Sequence, residues 1–115
     1  MQRKLSSSVR VFYPKFEREE IISRIQNGLV TLQEKLSLRL VVLFGSYSKG
    51  NYTVTSDIDL LIVYRGRERK DAYAICKKTL GISRLEPHVY SEKEYEEMKN
   101  TIERMIEDGV VLLPA

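Results

Sequence analysis

One cysteine, Cys76, and one histidine, His88, are the only thiol and the only imidazole in the chain. A lone cysteine excludes an intrachain disulfide and a cysteine zinc cluster. A lone histidine excludes a multi-histidine metal site. Long apolar runs are missing as well. The longest, residues 40–44 and 60–63, are strand-sized and far too short to span a bilayer. The basic start Met1-Gln2-Arg3-Lys4 is followed by Leu5-Ser6-Ser7-Ser8, not by the apolar core of a signal peptide. A cytosolic protein is the expectation. There is no low-complexity linker and no internal repeat. The formal net charge of +3 is modest; it suits an anionic substrate without arguing for nucleic acid. With 115 residues, 43% apolar and 30% charged, the chain reads as one soluble globular domain spanning residues 1–115.

The apolar periodicity sketches an α/β (α+β) chain, a small mixed β-sheet flanked by helices. Val9 to Tyr13 has the composition of a short strand that Pro14 would end. Ile21, Ile22, Ile25, Leu29, Leu32 and Leu36 recur at helical spacing, which predicts a helix over residues 16–36, with Gly28 a point where it could break. Residues 38–44 are almost continuously apolar, as expected of a strand buried on both faces. Residues 46–50 suit a short helix capped by Ser46, and residues 58–64 a second buried strand. Residues 71–80 form a helix that Gly81 stops. A third, more polar strand is expected over residues 82–90, where Pro87 argues for a sheet edge. Ser91 and Glu94 form a capping box opening a last helix that Gly109 ends, followed by a short strand over residues 110–113. Cys76, among Ala72, Tyr73 and Ile75, reads as a packed small hydrophobe.

The chemistry lies in one run. Leu43-Phe44-Gly45-Ser46-Tyr47-Ser48-Lys49-Gly50 is followed, after a polar spacer, by Ser56-Asp57-Ile58-Asp59-Leu60-Leu61. Residues two apart on a strand share a face, so Asp57 and Asp59 project together from the start of the second strand. Two close carboxylates repel unless a cation neutralises them, and hard, oxygen-seeking Mg²⁺ does so. A third acid would complete a two-metal site, and Glu86 on the third strand is the candidate. Gly45 has no Cβ, so a phosphate can approach its backbone. Free N–H groups after Ser46, the Ser46 hydroxyl and the Lys49 ammonium would all face that phosphate. Each fragment alone is commonplace; the combination is what points to a site. In this reading Asp57, Asp59 and Glu86 are the catalytic and metal residues. Gly45, Ser46, Lys49 and Ser56 are the nucleotide-binding ones. Glu86 would accept the proton of an attacking hydroxyl.

These residues resemble the nucleotidyltransferase superfamily typified by DNA polymerase β and kanamycin nucleotidyltransferase, and most closely its minimal members, the MNT proteins. Their pattern is Gly-Ser-x-Ala-Arg-Gly, a short spacer, then Ser-Asp-x-Asp-Leu. Gly45, Ser46, Gly50, Ser56, Asp57, Asp59 and Leu60 match it. Lys49 stands in place of Arg, Ser48 in place of Ala, and Glu86 in place of a later Asp. The resemblance covers roughly residues 20–110. It implies the polymerase β-like fold and transfer of a nucleotidyl group, AMP from ATP or another NTP, with Mg²⁺, expected as two ions. It also implies a helical HEPN toxin as partner, modified on a tyrosine, with this chain as antitoxin. Two other readings remain: a catalytically idle relative that neutralises its partner by binding, and a small-molecule enzyme acting on an aminoglycoside-like hydroxyl. Apolar surface on the first or last helix offers a route to a homo-oligomer or to the partner.

Other residues are weighed more simply. Arg65, Arg67, Arg69 and Lys70 read as a solvated loop, or more sharply as a contact for an acidic partner or RNA. Tyr47 and Tyr52 flank the Gly/Ser segment, where either could stack on a base or pack. Tyr64, Tyr73, Tyr90 and Tyr95 read as core or boundary residues. His88 shares a strand face with Glu86 and could assist the site or touch the nucleotide. Aromatic and basic residues are not interleaved, so nucleic acid is not an expected partner.

Overall fold

The computed structural model describes residues 17–53 and 55–114; the strand expected over residues 9–13 lies outside them. The first helix, α1 (Arg18–Lys35), turns Ile21, Ile25, Leu29 and Leu32 inward. It runs unbroken through Gly28, where a Cβ would stand 2.6 Å from Leu80 Cδ2. The glycine therefore lets the following helix layer pack against the α1 backbone instead of breaking α1.

Strand β1 (Leu38–Phe44) leads through a one-turn helix α2 (Ser46–Lys49) and a polar loop to β2 (Ile58–Tyr64). Helix α3 (Ala72–Leu80) ends at Gly81, which adopts the left-handed conformation (φ 56°). Strand β3 (Leu85–Ser91) then runs parallel to β2, whereas β1 is antiparallel to β2 and to the terminal strand β4 (Val110–Leu113). The sheet order is β3-β2-β1-β4. Pro87 thus sits on an edge strand, where its missing N–H costs no ladder bond.

Alternation splits β1 and β2 between two cores. Val41, Leu43, Ile58, Leu60, Ile62 and Tyr64 pack under α1 and α3. Leu40, Val42, Phe44, Leu61 and Val63 pack with Tyr95 and Ile102 on the other face. That double coverage is why both strands read as unbroken apolar runs. Cys76 is buried in the first core.

Three sequence expectations shift. The third strand starts at Leu85, because Arg84 takes a left-handed turn (φ 66°) ahead of it. The last helix divides into α4 (Glu92–Glu97) and α5 (Lys99–Met105), with Met98 between them outside helical geometry. The cap of α2 is Gly45, and Ser46 is the first helical residue. The capping box at Ser91 is present in full: Glu94 N–H donates to Ser91 Oγ (3.2 Å) and Ser91 N–H donates to Glu94 Oε1 (2.8 Å).

Candidate functional site

The site grows from the turn where β1 ends. Gly45 has φ 78° and ψ −151°, a conformation closed to residues with a Cβ. It is needed because the next strand brings a carboxylate against it. Phe44 is paired with Asp59, and a Cβ on Gly45 would stand 2.6 Å from Asp59 Oδ2. The Gly/Ser turn and the second carboxylate are therefore in contact. The turn itself is braced from within: Ser48 Oγ–H donates to the Gly45 carbonyl (2.9 Å), and Lys49 N–H does the same (3.1 Å). Ser46 is half-buried and Lys49 exposed at the end of the turn.

β2 begins at Ile58, so Asp59 lies within the strand and Asp57 one residue ahead of it. The Asp57 side chain is 63% exposed and pairs with Arg84 Nη2 at 3.5 Å; that of Asp59 is 29% exposed. Arg84 also donates from Nε to the Ser56 carbonyl (3.2 Å) and from Nη2 to the Thr55 carbonyl. Its own carbonyl accepts from Ile58 N–H (2.9 Å). One arginine thus ties the loop carrying Asp57 to the start of β3. Its place in an expected strand hid that role; its left-handed backbone has no local sequence signature. The Ser56 hydroxyl accepts from Thr53 N–H (2.8 Å), closing the loop turn.

On β3 the direct partner of Asp59 is Glu86, and the diagonal one is His88, itself paired with Leu61. Their side chains divide. Glu86 is exposed, and Tyr73 on α3 lies with its hydroxyl 3.4 Å from Oε1. His88 Nε2 lies 3.2 Å from Asp59 Oδ1, with its ring tilted against Phe44 at 5.0 Å between centroids. Among the described residues no group of three or more His, Cys, Asp and Glu side chains is gathered as a metal cage. The register brings Asp59 and Glu86 side by side, but the carboxylates of Asp57, Asp59 and Glu86 do not converge into such a group.

Of the roles left open for Tyr47 and Tyr52, the structure takes packing. Tyr47 and Tyr52 stack on each other (4.2 Å, 5° between planes), and Tyr47 is buried. That burial pushes the Tyr47 phenol above its usual range; the charge of Tyr52 adds to the rise, and Arg84 opposes it. Tyr52 Oη accepts from Arg18 N–H (3.2 Å), anchoring the start of α1. Tyr73 is exposed. In the basic loop Arg69 forks onto Asp71 and also reaches the Lys35 carbonyl, while Arg65 pairs with Glu92. A cleft of about 720 Å³ lined by Gly66, Arg67, Ser91 and Glu92 lies beyond the other ends of β2 and β3. It is a full strand length from the carboxylates, roughly 20 Å. No helix among the described residues is long and apolar enough to cross a membrane.

The chain belongs to the nucleotidyltransferase domain family, whose profile matches residues 22–113, a span holding the Gly/Ser turn and all three acids. No curated protein sequence matches it. Solved structures share the fold. One is a protein from Sulfolobus solfataricus described as a nucleotidyltransferase, 22% identical, covering 82% of this chain and 80% of that one, with a TM-score of 0.59. Another is a toxin–antitoxin complex with AMP-PNP, 20% identical, covering 78% and 73%, at 0.56. A third is the MNT antitoxin bound to a tri-AMPylated HEPN toxin from Shewanella oneidensis, 18% identical, covering 82% and 73%, at 0.53.

Proposed function

We propose that this chain is a nucleotidyltransferase that moves AMP from ATP to a hydroxyl on a protein partner, a tyrosine of a helical HEPN-type toxin, and so acts as its antitoxin. The observation that carries the reading is the contact between the Gly45 turn and Asp59. It sets a backbone turn that accepts phosphate beside a carboxylate that favours a cation. The donor set fits a hard divalent ion: Asp57 and Asp59 supply oxygen only, and Gly45, with no Cβ, lets the Asp59 carboxylate lie against the turn. Asp57 and Asp59 would hold the ion, with Mg²⁺ the expectation, and once bound it neutralises charge on the phosphates and the leaving pyrophosphate. The Arg84 pairing does not bar this. Both partners are about half exposed or more, and such pairs are worth only about 0–1 kcal/mol.

The chain's own groups supply the rest. The Gly45–Ser46 backbone and the Ser46 hydroxyl orient the triphosphate, and Lys49 meets it as a point charge. The acceptor oxygen attacks the α-phosphorus, the bond to pyrophosphate breaks, and Glu86 takes the hydroxyl proton. For Glu86 to do so it must leave Tyr73. The acceptor hydroxyl arrives on another protein. The complexes of MNT antitoxin with HEPN toxin support the same partner class.

A second reading has its own support. With Asp57 engaged by Arg84 and Glu86 by Tyr73, the chain could neutralise its partner by binding alone. The deciding experiment mixes purified protein, ATP, Mg²⁺ and the co-expressed helical partner, then weighs the partner by intact mass spectrometry. An AMP adduct on a tyrosine is the expected result. A tight complex without any adduct would hand the case to the binding-only reading.

A further inference from the structure

We propose that His88 is the positioning residue of the Asp59 carboxylate, fixing which oxygen Asp59 presents to a divalent cation; this rests on the reading of Asp57 and Asp59 as a cation site. A carboxylate only accepts hydrogen bonds, so the 3.2 Å contact makes His88 Nε2–H the donor and Asp59 Oδ1 the acceptor. The other oxygen, Oδ2, faces the Gly45 turn, where an added Cβ would meet it at 2.6 Å. The two oxygens are thereby given separate tasks. Oδ1 is held from the sheet, and Oδ2, lying against the Gly45 turn, is the oxygen left for the cation. Asp59 is then a one-oxygen ligand by construction.

The imidazole is in turn held in place. It is half-buried, and its ring packs on Phe44, the strand partner of Asp59. His88 on β3, Asp59 on β2 and the turn that follows β1 therefore lie next to one another, so that a rotation of the Asp59 side chain would have to break the His88 bond. Glu86, the direct strand partner of Asp59, is engaged instead by Tyr73. Among the contacts of the described residues, that leaves His88 as the side chain from β3 that acts on Asp59. Partners of this kind, which hold a ligating carboxylate without touching the ion, typically change metal affinity 10–100-fold when removed.

Two substitutions separate positioning from packing. His88→Phe keeps an aromatic ring against Phe44 and removes the donor. His88→Gln loses the ring and keeps an N–H that reaches Oδ1. Mn²⁺ alone is titrated into the full-length wild type and each variant, followed by electron paramagnetic resonance at fixed pH, after circular dichroism has verified folding. The expected result is that His88→Phe weakens Mn²⁺ binding by about tenfold or more while His88→Gln stays within about threefold of wild type. In the transfer assay His88→Phe raises the Mg²⁺ concentration needed for half-maximal rate more than it lowers the rate at saturating Mg²⁺. Unchanged binding in His88→Phe, or the reverse order of the two variants, overturns the role of His88 while the cation site stands. A wild type that binds no Mn²⁺ at millimolar concentration overturns the cation site and the role of His88 together.

Discussion

Gly45 and Asp59 touch across the β1–β2 pair so closely that a single methyl group on Gly45 would stand 2.6 Å from the Asp59 carboxylate. Because Gly45 also has a positive φ of 78°, Gly45→Ala meets strain twice, in its own backbone and against Oδ2. The expected loss of stability is about 1–3 kcal/mol. The displaced carboxylate lowers nucleotide transfer by roughly 10²-fold, since misplacement of about 1 Å can cost that much. Chemical denaturation and a transfer assay with labelled ATP check both. Full activity in a folded Gly45→Ala protein would show that the turn does not belong to the site.

Asp57→Asn and Asp59→Asn are expected to abolish Mg²⁺-dependent transfer while leaving the fold. Asp57 is exposed and its pair with Arg84 is weak, so Asp57→Asn changes stability by less than about 1 kcal/mol. Asp59→Asn keeps an oxygen for His88 but loses the charge. If both variants still transfer nucleotide, the assigned carboxylates are wrong.

Glu86→Gln tests the proton acceptor. Its turnover should fall by about 10²-fold, with NTP affinity little changed, because general-base catalysis is typically worth that much or more. Tyr73→Phe, which frees Glu86 from its hydrogen bond, serves as the companion and leaves turnover at or above the wild-type level. An unaltered rate in Glu86→Gln removes Glu86 from the mechanism.

Burial pushes the Cys76 thiol up to about 12 from an ordinary value of 9.0. The unfolded chain loses that proton above about pH 9, while the folded chain keeps it. The unfolded state therefore binds fewer protons between these values, and stability falls as pH rises from about 9 toward 12. Below pH 9 the thiol contributes no slope. Native protein should react with a thiol reagent at pH 8 only as fast as it opens, and Cys76→Ala should flatten the alkaline limb of a denaturation series. Rapid labelling of the folded protein would contradict the burial.

Much of the sheet was legible because β1 and β2 are buried on both faces and spell it out as Leu, Val and Ile. Gly81 and the Ser91–Glu94 box mark helix ends by local chemistry alone, and both stand where expected. The division of the last helix at Met98 was not legible, since no proline or glycine marks it. Of the roles left open for Tyr47 and Tyr52, packing holds, as the two rings stack on each other; which one would hold was not legible, because which surface reaches a ring depends on where α1 and the polar loop meet.

Taken alone, the sequence determined the cores of β1 and β2 and the Gly45–Ser46 turn, which follow from neighbours within a few residues and from period-two alternation; Asp57 falls outside that alternation because it precedes β2. Only the tertiary structure decided that Asp59 faces Gly45 and His88, that Arg84 claims Asp57, and that Tyr73 holds Glu86. Those pairings join residues 13 to 29 positions apart. They are settled by strand register and by the path of the chain around the sheet, which no local pattern encodes.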